Sequence, residues 1–447
     1  MVRMNYYDDT SNIYLSQVQT VTEAGILMPE FKNAAIWLAD GSQRMSASLD
    51  NQFFADGVHN EFDLSYHMGV VDNFYYIYRL ASLNGALSNF PSNYVEKLRS
   101  ACHFFMDMIY PNYTMDNFND TRAHAKSVIV KNLKKYAEMF PDEPEFAWMA
   151  YEGRMGTKPT GLVQLYKDGG YYMLRNGWDA ASTMMIVKNN TNADNKWHCQ
   201  PDNMTFSLYR NGRNFLPDAG VYSYGGTSSS NADRRAYAAS CNHNTITKAR
   251  ADFDGNHRNG RFLKHETKGN TELLVIENEN YSDLTHRRAI FFVDRTFFVI
   301  VDDAYGTADN TVNLNMRLCP AKNDVIIDEN DIASFRYGAH TNFADGNNMA
   351  FATFSETTDG FAASNNTAYI SEKIGEKTYQ RRVYQVDVHK SADKAARFIT
   401  VIAPFATEAD FNALGIDARF TDSGFSASGA SVEVSVSGKK YELSYQL

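Results

Sequence analysis

Over roughly the first third of the chain, apolar residues recur at three- and four-residue spacing. In NYVEKLRSACHFFMDMIY, the residues Val95, Leu98, Cys102, Phe105, Met106 and Ile109 fall on one stripe of a helix. The segments after Asn12, Phe31, His67 and Ala123 behave the same way, so the chain from Asn12 to about Phe140 reads as helices. Short polar connections between them predict antiparallel helical hairpins packed on one another.

After Pro141 the period changes. The stretch PDEPEFAWMAYEGRMGTKPTG mixes prolines, glycines and charges, as a linker does. Beyond it GGYYMLRNGW, STMMIVKN, MTFSLYRNGR, TELLVIENENY and RRAIFFVDRTFFVIVDDA alternate like strands. Asp294-Arg295 splits the last of these into the arms of a hairpin. Alternation continues to Tyr445 and predicts stacked antiparallel sheets. The expected order is a helical domain over 1–145, a linker over 146–168 and an antiparallel β-sandwich over 169–447. No repeat of fixed period and no low-complexity tract interrupts it.

Composition narrows the partners. A chain of 447 residues is long enough for two or three domains. Its formal charge of −10 argues against a nucleic-acid partner. It leaves room for an anionic substrate, because clustered Arg and Lys reverse the field locally inside a cleft. Aromatics reach 13%, mostly in strand-like runs where sheets use them, although a carbohydrate groove also uses aromatic walls. The four cysteines Cys102, Cys199, Cys241 and Cys319 form no CxxC pair and read as buried thiols. No run of about 18 apolar residues is present, so no membrane span is expected. The start, MVRMNYYDDTSN, has no apolar signal core. That leaves a cytoplasmic protein or a chain whose natural N-terminus is missing, and the second is favoured.

Three polar segments hold the candidate chemistry. FFADGVHNEFDLSYHMGV sets Tyr66-His67 at a helix start, with His59 nearby and Glu61 and Asp63 as a carboxylate pair. Such a pair raises glycoside hydrolysis as one option. KWHCQPDNMTFSLYRNGRNFLPDAGVYSYGG puts His198 and Gln200 on one side of an extended chain and Asp218 at a strand end. ADRRAYAASCNHNTIT adds His243. A His, an Asp and an amide converging from strand ends can hold a metal, although a hydrogen-bonded structural His gives the same pattern. Arg234 and Arg235 suit sulfate or carboxylate by their planar forks, or are solvated loop charges. His67 is a further candidate for the substrate's neighbourhood.

Together the three segments resemble the heparinase II/III family of polysaccharide lyases. WHCQPDN, NGRNFLPDAG and the His-Asn-Thr of the third segment resemble its heparinase III branch. The resemblance runs from about Asn12 to the C-terminus. It implies an α+β multidomain fold, an incomplete (α/α) toroid followed by an antiparallel β-sandwich. It also implies β-elimination on a uronic-acid glycosaminoglycan, heparan sulfate first, to an unsaturated uronate. Alginate or hyaluronan are alternative substrates, and a non-catalytic carbohydrate-binding protein is the alternative function.

Carried over by residue, Asn12 matches the family's contact to the uronic carboxylate. Tyr66 and His198 match its proton-transferring pair, and Gln200, Asp218 and His243 match its metal position. A Gln oxygen beside an Asp suits calcium better than zinc, though zinc is possible. Met204 stands where relatives often carry Gly. The family's counterpart of Asn12 lies deep in the helical domain, so about half a toroid, with exposed apolar helix faces, is expected here. The full-length form is then expected in the periplasm or outside the cell.

The chemistry accounts for these residue types. Elimination removes the C5 proton of a uronic acid and expels the C4 oxygen. An amide such as Asn12 neutralises the adjacent carboxylate and steadies the developing enolate. Tyr66 and His198 would divide the two proton transfers in either order. A phenol with pKa ~10 needs nearby cations to act as base.

Overall fold

The structure, a computed structural model, describes residues 12–191, 198–223, 228–255, 260–318, 324–328, 331–371 and 379–447. Six helices come first: α1 (Asn12–Leu27), α2 (Ala34–Gln52), α3 (Leu64–Leu83), α4 (Tyr94–Met108), α5 (Lys126–Met139) and α6 (Pro144–Ala150). The stripe read on α4 is its buried face, with Leu98, Cys102, Phe105 and Met106 inside. The stretch read as linker from 146 is partly helical, because Pro144 opens α6 instead of breaking it. A first-turn proline costs no hydrogen bond. Ile13, Ile36 and Leu83 stand exposed on α1, α2 and α3.

Strands follow in chain order: β1 (Val163–Tyr166), β2 (Tyr171–Arg175), β3 (Thr183–Lys188), β4 (Phe206–Arg210), β5 (Arg213–Asn214), β6 (Ile246–Lys248), β7 (Arg261–Lys268), β8 (Thr271–Tyr281), β9 (Leu284–Val293) and β10 (Phe297–Tyr305). Then come β11 (Asn310–Arg317), β12 (Val325–Ile327), β13 (Arg336–Thr341), β14 (Asn348–Ser355), β15 (Ala362–Ile370), β16 (Tyr379–Lys390), β17 (Ala396–Phe405), β18 (Asp417–Phe420), β19 (Gly429–Val436) and β20 (Lys439–Gln446). Two short helices, α7 (Ser228–Ala238) and α8 (Glu408–Leu414), interrupt them. The β9–β10 hairpin turns at Asp294-Arg295, both in the left-handed region.

The sheets stack in layers. β1 to β5 form a five-stranded sheet, and β12-β13-β14-β17-β10-β9-β8-β7 an eight-stranded one. β15-β16-β11-β6 and β18-β19-β20 form the two smaller sheets. Alternation along β2 and β3 shows why both faces of the first sheet are buried. Tyr171, Met173, Met184 and Ile186 join the helical core, while Tyr172, Leu174, Met185 and Val187 join the sandwich core. The eight-stranded sheet likewise turns Leu274, Ile290 and Ile300 toward the sandwich core and Val275, Phe291 and Val299 toward the three-stranded sheet. Each large side chain buried this way contributes ~1.5–3 kcal/mol. The helices are therefore joined to the sandwich through the first sheet, which buries one face in each core, and the site lies along that seam.

Candidate active site

Asp63 caps α3, its carboxylate accepting from the backbone N–H of Tyr66 at 2.9 Å. Tyr66 thus sits in the first turn with its ring half-buried. Opposite lies the segment between α4 and α5, long and without regular structure, the kind of connection that usually carries function. Its Asn119 and His198 from the sandwich both take left-handed backbone conformations (φ 61° and 60°). Strain of this kind persists where the surroundings hold it, and it clusters at functional sites. The backbone N–H of Asp120 donates to the carbonyl of His198 at 3.3 Å, which docks the two loops.

The His198 ring stacks on the Tyr66 ring with centroids 3.9 Å apart and planes 22° apart. Its Nδ1 donates to Asp120 Oδ2 at 2.9 Å, which makes Nε2 the basic nitrogen of the neutral ring. Arg234 donates to the same carboxylate oxygen at 2.8 Å and to the Ser223 carbonyl at 2.6 Å. Tyr66 lines a cavity of about 500 Å³ together with Asn12, Ser65, Asn73, Arg122 and His124. The structure thus brings Asn12, Tyr66, His198 and Arg234 to one place.

Electrostatics separate the two rings. Burial lowers the pKa of His198, but the hydrogen bond to Asp120 and the charges of Glu61, Asp120 and Asp63 outweigh it, and the net shift is upward. Tyr66 is raised above the ordinary phenol value, first by burial and then by Asp63 and Glu61, with Arg122 pulling the other way. The expected lowering by nearby cations is therefore reversed, because burial, with the carboxylates behind it, outweighs Arg122. Asp63 itself is pushed up to about 7, chiefly by burial. Asp63 is buried as a helix cap, and neither it nor Glu61 lines the cavity at Tyr66.

Two expected substrate contacts are corrected. His67 is fully buried, its Nε2 donating to the Ala101 carbonyl at 2.9 Å and its ring packed among Phe53, Phe104 and Phe105. Neighbours on a helix point about 100° apart, so Tyr66 and His67 face the groove and the core respectively. Arg235 is exposed on α7 and does not line the cavity, whereas Arg122 and His124, unremarked in the sequence, do.

Burial lowers the pKa of His67 to about 4. An unfolded His titrates near ~6.5. A depressed His stabilises the fold above the unfolded value and loses that contribution as pH falls toward the folded one. Thermal unfolding between pH 7 and 4 should show a midpoint that falls with pH in the wild type and falls less steeply in His67→Gln.

Below His198 lies a second cluster. Asp202, Asp218 and His243 are all buried, with one ligating atom from each within 4.8 Å of the others. His243 Nδ1 donates to Asp218 Oδ2 at 2.8 Å, and the buried Lys188 pairs with Asp202. The Gln200 amide nitrogen donates to the carbonyls of Asn119 (2.8 Å) and Gly220 (3.3 Å). Gln200 Oε1, Asp202 Oδ2 and His243 Nε2 are buried with no hydrogen-bond partner among the described residues. Orphaned acceptors in this number suit a cation, so the residues fit a metal. Asp202, which was not in the expected set, joins it. Gly220 is needed beside them, because a Cβ there would meet the Ser371 carbonyl at 2.3 Å. Met204, at φ 73°, holds a conformation that favours Gly, yet its side chain fills the sandwich core.

Residues 2–148 match the Heparinase II/III N-terminus model and residues 158–403 the Heparinase II/III-like, C-terminal model. The chain belongs to the heparinase II/III family. It is 40% identical over 459 aligned residues to a heparin-sulfate lyase of Bacteroides thetaiotaomicron, covering 99% of this chain and 64% of that protein. A heparin-sulfate lyase of Bacteroides stercoris is 32% identical, with 99% and 64% covered. A crystal structure of heparinase III superposes with a TM-score of 0.90 at 39% identity, covering 99% of this chain and 68% of that one. The chain therefore spans about two thirds of the length of the relatives it matches. The expected order of a helical part followed by antiparallel sheets holds for this heparinase II/III member. Among the described residues no helix is long and apolar enough to cross a membrane.

Proposed function

We propose that this protein is a polysaccharide lyase that cleaves heparan sulfate by β-elimination. The observation that carries the reading is the Tyr66–His198 stack, with His198 held through Nδ1 by Asp120, beside a cavity that Asn12 also lines. The Asn12 amide hydrogen-bonds the uronic carboxylate and stabilises the enolate. His198 Nε2 takes the C5 proton, with Asp120 stabilising the imidazolium that forms. Tyr66, kept protonated by its raised pKa, gives its proton to the leaving C4 oxygen. Arg122 and His124 lie on the cavity wall within reach of the sugar's anionic groups.

Stacked rings reach one face of a sugar. On glucuronate the C5 hydrogen and C4 oxygen lie on the same face, whereas on iduronate they lie on opposite faces. The arrangement suits syn elimination, hence glucuronate-rich, weakly sulfated heparan sulfate over heparin. A substrate of this kind calls for a periplasmic or secreted enzyme. The test is a panel of heparan sulfate, heparin, hyaluronan and alginate, read by the ultraviolet absorbance of the unsaturated uronate. Fastest cleavage of heparan sulfate supports the reading, and faster cleavage of any other polymer overturns it.

Gln200, Asp218 and His243, with Asp202, would hold a divalent cation, calcium by the hardness of the oxygen donors. Such an ion supplies a fixed positive charge that ties the turn after His198 to two other strand ends. Protein purified without chelator should carry about one equivalent by elemental analysis and lose thermal stability on chelation, as for any ligand that binds only the folded state. Less than about a tenth of an equivalent, with no chelator effect, would leave a hydrogen-bonded cluster alone.

A further inference from the structure

A second cavity, of about 430 Å³, lies under α7 on the outer face of the four-stranded sheet. Its size falls within the range of small-ligand sites. The sheet's alternation explains its polarity. Leu314, Met316, Tyr384 and Val386 point into the sandwich core, so Arg317, Val383 and Gln385 point the other way and line the cavity. α7 covers this face through Asp233, Ala236 and Tyr237, while its Arg234 holds the Asp120 carboxylate of the catalytic cluster.

Arg317 is the residue that needs explaining. Its side chain is 95% buried, Nε has no hydrogen-bond partner, and no carboxylate among the described residues pairs with it. Burial of a guanidinium costs free energy unless an anion or a set of acceptors compensates it. Two further arginines act on Arg317. Arg250 shares the cavity wall, and Arg381 lies close enough for its charge to disfavour that of Arg317, as burial itself does. Asp233 is the one carboxylate among the lining residues. Asn366 and Gln385 add neutral amides that can donate to an oxyanion.

We propose that this cavity is an oxyanion subsite in which Arg317 and Arg250 bind a sulfate group, separate from the cavity at Tyr66. Two sources share that chemistry, a sulfate ester on a sugar and the inorganic ion. The planar fork of Arg317, fixed by burial, favours such a group over a point contact. The proposal does not depend on turnover, so it stands or falls apart from the lyase reading.

The experiment titrates Tyr66→Phe protein with glucosamine 6-sulfate, with inorganic sulfate and with unsulfated glucosamine at matched ionic strength, reading heat and unfolding temperature. At least one sulfate ligand should bind saturably, and glucosamine should not. Arg317→Met, made in the same background, should bind that ligand about tenfold or more weakly, since a hydrogen bond to a charged group is lost. It should also unfold at an equal or higher temperature without ligand, because a buried unpaired charge has gone. Arg250→Gln, at an exposed position, should weaken binding without changing ligand-free stability. Tighter binding of the sugar ester identifies a polysaccharide subsite, and tighter binding of inorganic sulfate identifies a free-ion site. Absence of saturable sulfate binding, or equal affinity in the Arg317→Met and Arg250→Gln proteins, overturns the proposal.

Discussion

Changing Tyr66 to Phe is expected to slow elimination by ~10²–10⁴-fold, the usual contribution of a positioned proton-transfer group. The substitution removes one hydroxyl and keeps the ring that stacks on His198, so packing is preserved. No hydrogen bond within the helix or to the Asp63 cap involves that hydroxyl, since the cap uses the backbone N–H. The loss should therefore appear in kcat, with KM and the unfolding temperature near wild type. A Phe variant with full activity would remove Tyr66 from the mechanism.

The second large effect is expected at His198. His198→Ala should cost a similar ~10²–10⁴-fold, because the group that takes the C5 proton is gone. Asp120→Asn is the sharper probe of how that ring is held. It keeps the size of the side chain but removes the charge shared by His198 and Arg234. A misplacement of about 1 Å costs on the order of 10²-fold, and the Asn variant should fall in that range, between wild type and His198→Ala. Initial rates on heparan sulfate, alongside circular dichroism to confirm folding, test the order. An Asp120→Asn enzyme as fast as wild type would show that His198 needs no anchor.

These residues were unequally legible. Tyr66 and His198 could be found because each lies in a short motif whose meaning is local. The helix stripe of α4 and the alternation of β2 and β3 could be read because periodicity reports which face is buried. Asp120 could not be read that way. It lies in a connection with no period, and its value comes from meeting His198, 78 positions away. Dense Asn, Asp, Arg and His in NFNDTRAH between two helices was the available signal. Lys188 ends an apolar strand, and only the folded chain shows it buried against Asp202 and Asn119. His67 was misplaced for the opposite reason. It lies in the first turn of α3 as expected, but the stripe that Met68, Val71 and Phe74 make with it faces the core.

If the seam between helices and sandwich breaks a C–O bond by elimination, the C5 proton leaves in every turnover. The most direct measurement is the initial rate on glucuronate-rich heparan sulfate carrying hydrogen or deuterium at C5, with product absorbance and new reducing ends followed together. Elimination gives one unsaturated uronate for each new reducing end, formed more slowly from the deuterated polymer. New reducing ends without the double bond would contradict it, since that is hydrolysis and needs neither Tyr66 nor His198 at C5.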